Sequence, residues 1–262
     1  MTTEGPHQMP TTDTPSAGTP QVGDAFGAIL LSAHARAGLP TAAYEVTERD
    51  DGHVSVRDAH YYFAPVLADS ADAGLLAGVS GRVLDIGCGA GRHLAWLRQN
   101  GTTALGIDAS LGAVQVCARR GFYAVHGDIL QPQRIGVFDV LLLLGGNLGL
   151  LSTPARAGSV LRALSGLASP GARLIAEGID TATTVDPVHT AYRDANIARG
   201  RHPGQITMRV RHRELATGWI DLWYPAPSEL ADVAAGTGWI ADTVTPAPDG
   251  PGYHVELIRG RS

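Results

Sequence analysis

The chain has 262 residues, 44% of them hydrophobic, and a formal net charge of −5. That length supports a well-buried core, and the mildly acidic balance excludes an electrostatic footprint for nucleic acid or an anionic membrane. All twenty Lys-or-Arg positions are arginine, which excludes pyridoxal-phosphate enzymes, Schiff-base aldolases and P-loop nucleotidases, each dependent on a particular lysine.

Residues 1–23 are rich in Thr, Pro and Gly, have little to bury, and read as a disordered tail. They lack the basic-then-apolar order of a signal peptide. The longest apolar run, Val140 to Leu144, suits a buried strand rather than a membrane span. Cys88 and Cys117 imply no disulfide framework, so the expected location is cytoplasmic. Residues 24–80 read as a helical cap of short helices, broken at Leu39-Pro40 and Ala64-Pro65, and include the aromatic cluster Tyr61-Tyr62-Phe63.

From Arg82 strand and helix alternate. Strands are predicted at Arg82–Ile86, Ala104–Ile107, Tyr123–His126, Phe138–Leu144 and Arg173–Glu177, with helices at Arg92–Asn100, Leu111–Arg120 and Ala155–Leu167. Such an order specifies an α/β fold with a doubly wound, mostly parallel sheet covered on both faces. After Gly178 the rhythm changes. Thr181–Gly204 is polar and reads as irregular or helical. Gln205–Arg213 and Thr217–Trp223 read as a strand pair, Ser228–Ala235 as a helix, and Trp239–Thr243 and Tyr253–Ile258 as the last strands of seven. The main domain is thus expected over 81–262, with an insertion at about 181–224.

The chemistry concentrates in Val83-Leu84-Asp85-Ile86-Gly87-Cys88-Gly89-Ala90-Gly91-Arg92. A strand runs into alternate glycines and a helix follows at once, allowing a tight turn and close backbone approach to a ligand. A dinucleotide fingerprint wants glycine where Arg92 stands, and Asp85 would repel a pyrophosphate but could bind an ammonium group. Leu105-Gly106-Ile107-Asp108 is a second strand ending in an acid, where a carboxylate can accept from both hydroxyls of a ribose. Gly127-Asp128-Ile129 ends the third. Each acid alone could simply cap a helix.

Together these segments resemble class I S-adenosylmethionine methyltransferases, from about Tyr61 to the last strand and more weakly after Gly178. The resemblance implies S-adenosyl-L-methionine as cofactor, with Asp85 holding the methionine ammonium directly or through water. It places Gly87, Cys88 and Gly89 along the same ligand, Asp108 and Ala109 at the ribose, and Asp128 and Ile129 at the adenine. Gly145 approaches the methionine part, and Tyr62 either covers the site or packs in the core. Cys88 reads as a packing residue rather than a nucleophile. Members acting on DNA amines or glutamine amides carry an acid or Asn followed by two prolines after the fourth strand. Gly145-Gly146-Asn147-Leu148 departs from that pattern and points to a small-molecule acceptor, methylated at O, N or C without a metal.

The insertion is expected to form the acceptor lid. The acceptor pocket is expected from the N-terminal helices, the region after the fifth strand and the late strand pair, with Glu177, His189, Tyr192 and Asn196 as polar candidates and His189 as base or else a solvated loop histidine. Trp219 and Trp223 are an aromatic wall or core. Arg209, Arg211 and Arg213 share one face and read either as an anion site or as a charged sheet edge. The chain is expected to be a monomer or homodimer. Two alternatives stay open: a nicotinamide-dependent oxidoreductase and a non-catalytic S-adenosylmethionine-binding protein.

Overall fold

A computed structural model describes residues 19–131, 135–247 and 250–260. Most of the expected tail lies outside them. Within 19–23, Gln21–Val22 pairs as a short strand, β1. The chain continues through helix α1 (Ala25–His34), strands β2 (Tyr44–Arg49) and β3 (Val54–Asp58), a 3-10 turn at Ala59–Tyr62 and helix α2 (Ala71–Leu76). Next come β4 (Val83–Ile86), α3 (Arg92–Gln99), β5 (Ala104–Asp108), α4 (Leu111–Arg119), β6 (Ala124–His126) and β7 (Phe138–Leu143). A 3-10 turn at Asn147–Leu151 leads to α5 (Pro154–Ser165) and the long β8 (Ala168–Ile179). The chain then forms α6 (Pro187–Ala198), β9 (Gln205–His212), β10 (Leu215–Ala216), β11 (Ile220–Trp223), α7 (Pro227–Ala234), β12 (Trp239–Pro246) and β13 (Gly252–Arg259).

The main sheet has seven strands in the order β12-β13-β8-β7-β4-β5-β6. Strands β4 to β8 are parallel, and β13 runs antiparallel between β8 and β12. The order reverses between β4 and β7, which opens a crevice at their carboxyl ends. Strand β7 shows why the sheet must be covered twice. Leu141 and Leu143 pack into one apolar cluster with α5 and α7, while Val140 and Leu142 pack into another with Leu76 and Leu97. Among the described residues no helix is long and apolar enough to cross a membrane.

The second sheet overturns part of the sequence reading. Residues 44–58, expected to be helical, form the hairpin β2–β3. The cause is visible in retrospect: Glu45-Val46-Thr47 and Val54-Ser55-Val56 are rich in β-branched residues and flank Asp51-Gly52, a turn signal with Gly52 at φ 89°. The hairpin joins β9, so the expected strand pair becomes part of a six-stranded sheet: β1-β10-β9-β2-β3, with β11 also on β9. In 181–204, α6 starts at Pro187, capped by Asp186. Helix α7 opens at Pro227 rather than behind Ser228, with Glu229 accepting from the Ala226 N–H at 2.7 Å.

The turn after β4 depends on Gly91, which precedes α3 at φ 81°. A Cβ there would lie 2.8 Å from the Phe122 ring. Gly91→Ala is therefore expected to destabilise the protein by about 1–3 kcal/mol through backbone strain and the clash. Urea unfolding checks this, and an unchanged midpoint would show that the turn can relax.

Candidate functional site

A cavity of about 930 Å³ lies between the carboxyl ends of β4 to β7 and the inner face of the second sheet. Its floor is built from successive strand ends. After β4 come Gly87, Cys88 and Gly89, with φ of 70° at Gly87 and 54° at Gly89. Asp108 and Ala109 follow β5, Asp128 and Ile129 follow β6, and Gly145 and Gly146 follow β7. Tyr62 sits above Gly89, where an added Cβ would come within 3.5 Å of its ring. The structure thus brings nine of the ten expected cofactor residues to one cavity.

The tenth, Asp85, is 1% exposed and does not line the cavity. It lies under the glycine turn, with Oδ1 3.8 Å from His93 Nδ1. The other His93 nitrogen is 3.7 Å from Asp72, which also pairs with Arg92 at 2.7 Å. Burial pulls the His93 pKa down, but Asp72 and Asp85 outweigh it and lift it to about 9, so the ring is charged at neutral pH. Asp85 Oδ2, Arg92 Nε and His93 Nε2 are buried here without hydrogen-bond partners.

Asp108 is held by backbone. Gly89 N–H donates to Oδ2 at 2.9 Å and Ser110 N–H to Oδ1 at 2.8 Å. Burial raises its pKa to about 6 against the lowering effect of these two donors. Asp128 accepts from the Leu130 N–H at 2.8 Å. Asn147, beyond β7, donates to the Ile86 and Gly87 carbonyls at 2.9 and 3.1 Å and so ties the two central strand ends together.

The expected catalytic residues are corrected by their positions. None of Glu177, His189, Tyr192 and Asn196 lines the cavity. Helix α6 packs where the β2–β3 turn meets β9. There exposed His189 has Nδ1 3.1 Å from Arg49 Nη1, and Tyr192 donates to Asp50 at 2.5 Å beneath the Arg49 guanidinium. Asn196 donates to the Gln205 carbonyl. These groups hold α6 against the second sheet, outside the cavity. Glu177 stands behind the floor, accepting from the Gly145 N–H at 2.7 Å. Trp219 lines the cavity, whereas Trp223 is core at 1% exposure. Arg209 and Arg211 bind Glu48, while their neighbours Met208 and Val210 face the cavity.

Several site residues escaped the sequence reading. Glu45, Arg57, Tyr61 and Tyr224 line the cavity, and Tyr62 donates to buried Glu45 at 2.7 Å. Ser152 also lines it, 5% exposed and strained at φ 74°, ψ −73°. Glu45 and Arg57 sit on a hairpin in a stretch, 24–80, where short helices are expected, and the helical expectation gives neither of them a face. Among the described residues no group of three or more His, Cys, Asp or Glu is placed to hold a metal ion.

Solved structures share this arrangement. An S-adenosylmethionine-dependent methyltransferase of Bacteroides fragilis, solved with S-adenosyl-L-homocysteine, superposes with a TM-score of 0.76 at 20% identity, covering 90% of this chain and 95% of that one. The chain has the S-adenosylmethionine methyltransferase fold. The CcbJ methyltransferase of Streptomyces caelestis shares that methyltransferase fold at a TM-score of 0.58 and 13% identity, over 76% of this chain and 92% of that one. So does the 1,6-didemethyltoxoflavin-N1-methyltransferase of Burkholderia thailandensis, solved with 1,6-didemethyltoxoflavin and S-adenosylhomocysteine, at 0.52 and 18%, over 77% and 81%. The family model described as methionine biosynthesis protein MetW matches residues 73–143, within the first half of the methyltransferase fold. No curated protein matches by sequence.

Proposed function

We propose that the protein transfers a methyl group from S-adenosyl-L-methionine to a small-molecule acceptor. The observation that carries this reading is the order of groups along the cavity floor. The glycine turn, Asp108, and Asp128 with Ile129 occur at consecutive strand ends, in the sequence needed for an amino acid, a ribose and an adenine. The residues fit the group on an independent observation. Arg92 and His93 line the cavity beside the turn, and their orphaned Nε and Nε2 are cationic donors suited to the carboxylate of an amino-acid end, with Asp85 buried beneath them.

S-adenosylmethionine supplies an electrophilic methyl on a sulfonium. The protein binds and orients it: Gly87 and Gly89 permit close backbone approach, Asp108 accepts from the ribose diol, and Ile129 packs on the base. Met208, Val210, Trp219 and Leu222 on the lid sheet supply apolar cover that keeps water from the reaction path. Alignment and dehydration provide the acceleration. His93 is the one histidine among the described residues lining the cavity, and its charge, held by two carboxylates, makes it no base. The acceptor therefore reacts through a lone pair or gives up its proton to a group other than His93.

S-adenosylhomocysteine at about one hundred times its Kd should stabilise the protein by about 2.7 kcal/mol, a Tm rise on the order of 5–10 °C. NADH should cause none. A shift with NADH and none with S-adenosylhomocysteine would favour the oxidoreductase alternative. Binding without release of S-adenosylhomocysteine across a panel of acceptors would favour a non-catalytic binder.

A further inference from the structure

Two tyrosine hydroxyls stand over Gly145–Gly146, with a guanidinium stacked on one of the rings. The Tyr61 hydroxyl lies 3.7 Å from the point a Cβ on Gly145 would occupy, and the Tyr224 hydroxyl lies 3.8 Å from the equivalent point on Gly146. The Arg57 guanidinium carbon is 4.8 Å from the Tyr61 ring centroid, and its charge also acts on Tyr224. They come from β3, from the 3-10 turn after it and from just past β11, yet all three line the cavity.

Among the described residues none of the three is held by a carboxylate, although exposed Arg57 stacks on Tyr61 and its charge is also steadied by the Tyr62 hydroxyl. Arg92, Arg209 and Arg211 pair with carboxylates, whereas among the described residues no carboxylate lies within ion-pair distance of Arg57. Glu45, its nearest acid by electrostatic effect, accepts from Tyr62 instead. Tyr62, Tyr192 and Tyr253 donate to protein oxygens, but among the described residues the Tyr61 and Tyr224 hydroxyls have no protein partner. Burial raises the Tyr61 pKa and lifts that of Tyr224 to about 12, so both are neutral donors.

A planar guanidinium and two phenolic O–H groups match the lone pairs of a carboxylate, and Glu177, the acid whose charge acts on both tyrosines, is itself held by the Gly145 N–H. We propose that Arg57, Tyr61 and Tyr224 bind a carboxylate of the methyl acceptor, so that the substrate is a small organic acid held over the Gly145–Gly146 turn. This rests on the methyltransferase reading. In that reading the cofactor's own carboxylate is left to the unpartnered Arg92 Nε and His93 Nε2.

The test uses the full chain saturated with S-adenosylhomocysteine and two matched pairs of probes: benzoate against benzamide, and phenylacetate against phenylacetamide. By calorimetry or ligand-observed NMR the acids should bind about tenfold or more tighter than the amides, the scale of a charge-assisted contact. Arg57→Gln should abolish that preference, and Tyr224→Phe should reduce it. Both variants should bind S-adenosylhomocysteine as the wild type does, which also shows that they fold. Equal binding of acids and amides, no binding of any acid, or a preference that survives Arg57→Gln would overturn the proposal. So would a loss of S-adenosylhomocysteine affinity in Arg57→Gln, which would put the guanidinium on the cofactor's carboxylate. Failure of the wild type to bind S-adenosylhomocysteine is a separate result: it removes the methyltransferase reading and this one with it.

Discussion

Asp108→Asn is expected to weaken S-adenosylhomocysteine binding by about 1.5–3 kcal/mol, the scale for hydrogen bonds to a charged group. Both Asp108 oxygens already accept one backbone N–H, which fixes the carboxylate while leaving a lone pair on each for a ribose hydroxyl. The pH dependence separates this role from simple capping. In the free protein the Asp108 pKa is raised from 3.8 to about 6, so its ionisation costs stability as pH rises through that window. A diol donating to the carboxylate favours the ionised form. Affinity should therefore be low below pH 5, climb through pH 6 and level off above pH 7. The Asn variant should show a weaker, nearly flat profile over the same range. Calorimetric titrations at four pH values decide it, and parallel profiles for the two proteins would reduce Asp108 to a cap.

The part of the site built by β4 to β7 was legible because its signals are local. Val83–Ile86 is an apolar strand whose turn can be followed residue by residue, and Gly87, Gly89 and Gly91 all adopt the left-handed conformation that favours glycine. Asp108 and Asp128 end strands that a short window identifies. The lid was not legible for the opposite reason. Strand β2 pairs with β9, with Val46 opposite Arg211, a contact over 160 residues of chain that no window contains. Once residues 44–58 were read as helix, the strand pair at 205–223 lacked its partner, and α6 had no surface to dock on except the cavity mouth. Position next to the fifth strand, beside the crevice, is what points His189 and Tyr192 at the reaction when only the sequence is in hand. The structure instead gives them Arg49 and Asp50 of the missing hairpin, and the cavity wall passes to Arg57, Tyr61 and Tyr224.

Arg92 shows a subtler loss. In the sequence it counted only as the wrong residue for a dinucleotide fingerprint, because nothing local joins it to Asp72 or sets His93 beside Asp85. The three-dimensional cluster gives both residues a charge role under the glycine turn. It also makes the turn's stability depend on the ionisation of one ring.

His93→Gln should destabilise the protein at neutral pH by about 3 kcal/mol, the low end for breaking a buried pair. The low end applies because the 3.7 and 3.8 Å contacts exceed hydrogen-bond length. His93 is charged in the folded state up to about pH 9 against a reference of 6.5, so its stabilising contribution is complete below pH 6.5 and is lost as pH rises through 9. Glutamine carries no charge at any pH and leaves Asp85, with a side-chain exposure of 2%, without its counter-charge throughout. The gap between wild type and variant should therefore be widest at pH 6 and should narrow steadily towards pH 9.5, because only the wild type has charge left to lose. Urea unfolding at pH 6, 7.5 and 9.5 measures that gap directly. A gap that stays constant across the three values would mean that His93 packs as a neutral ring, and Asp85 would then have to be balanced by Arg92 or by a bound ammonium alone.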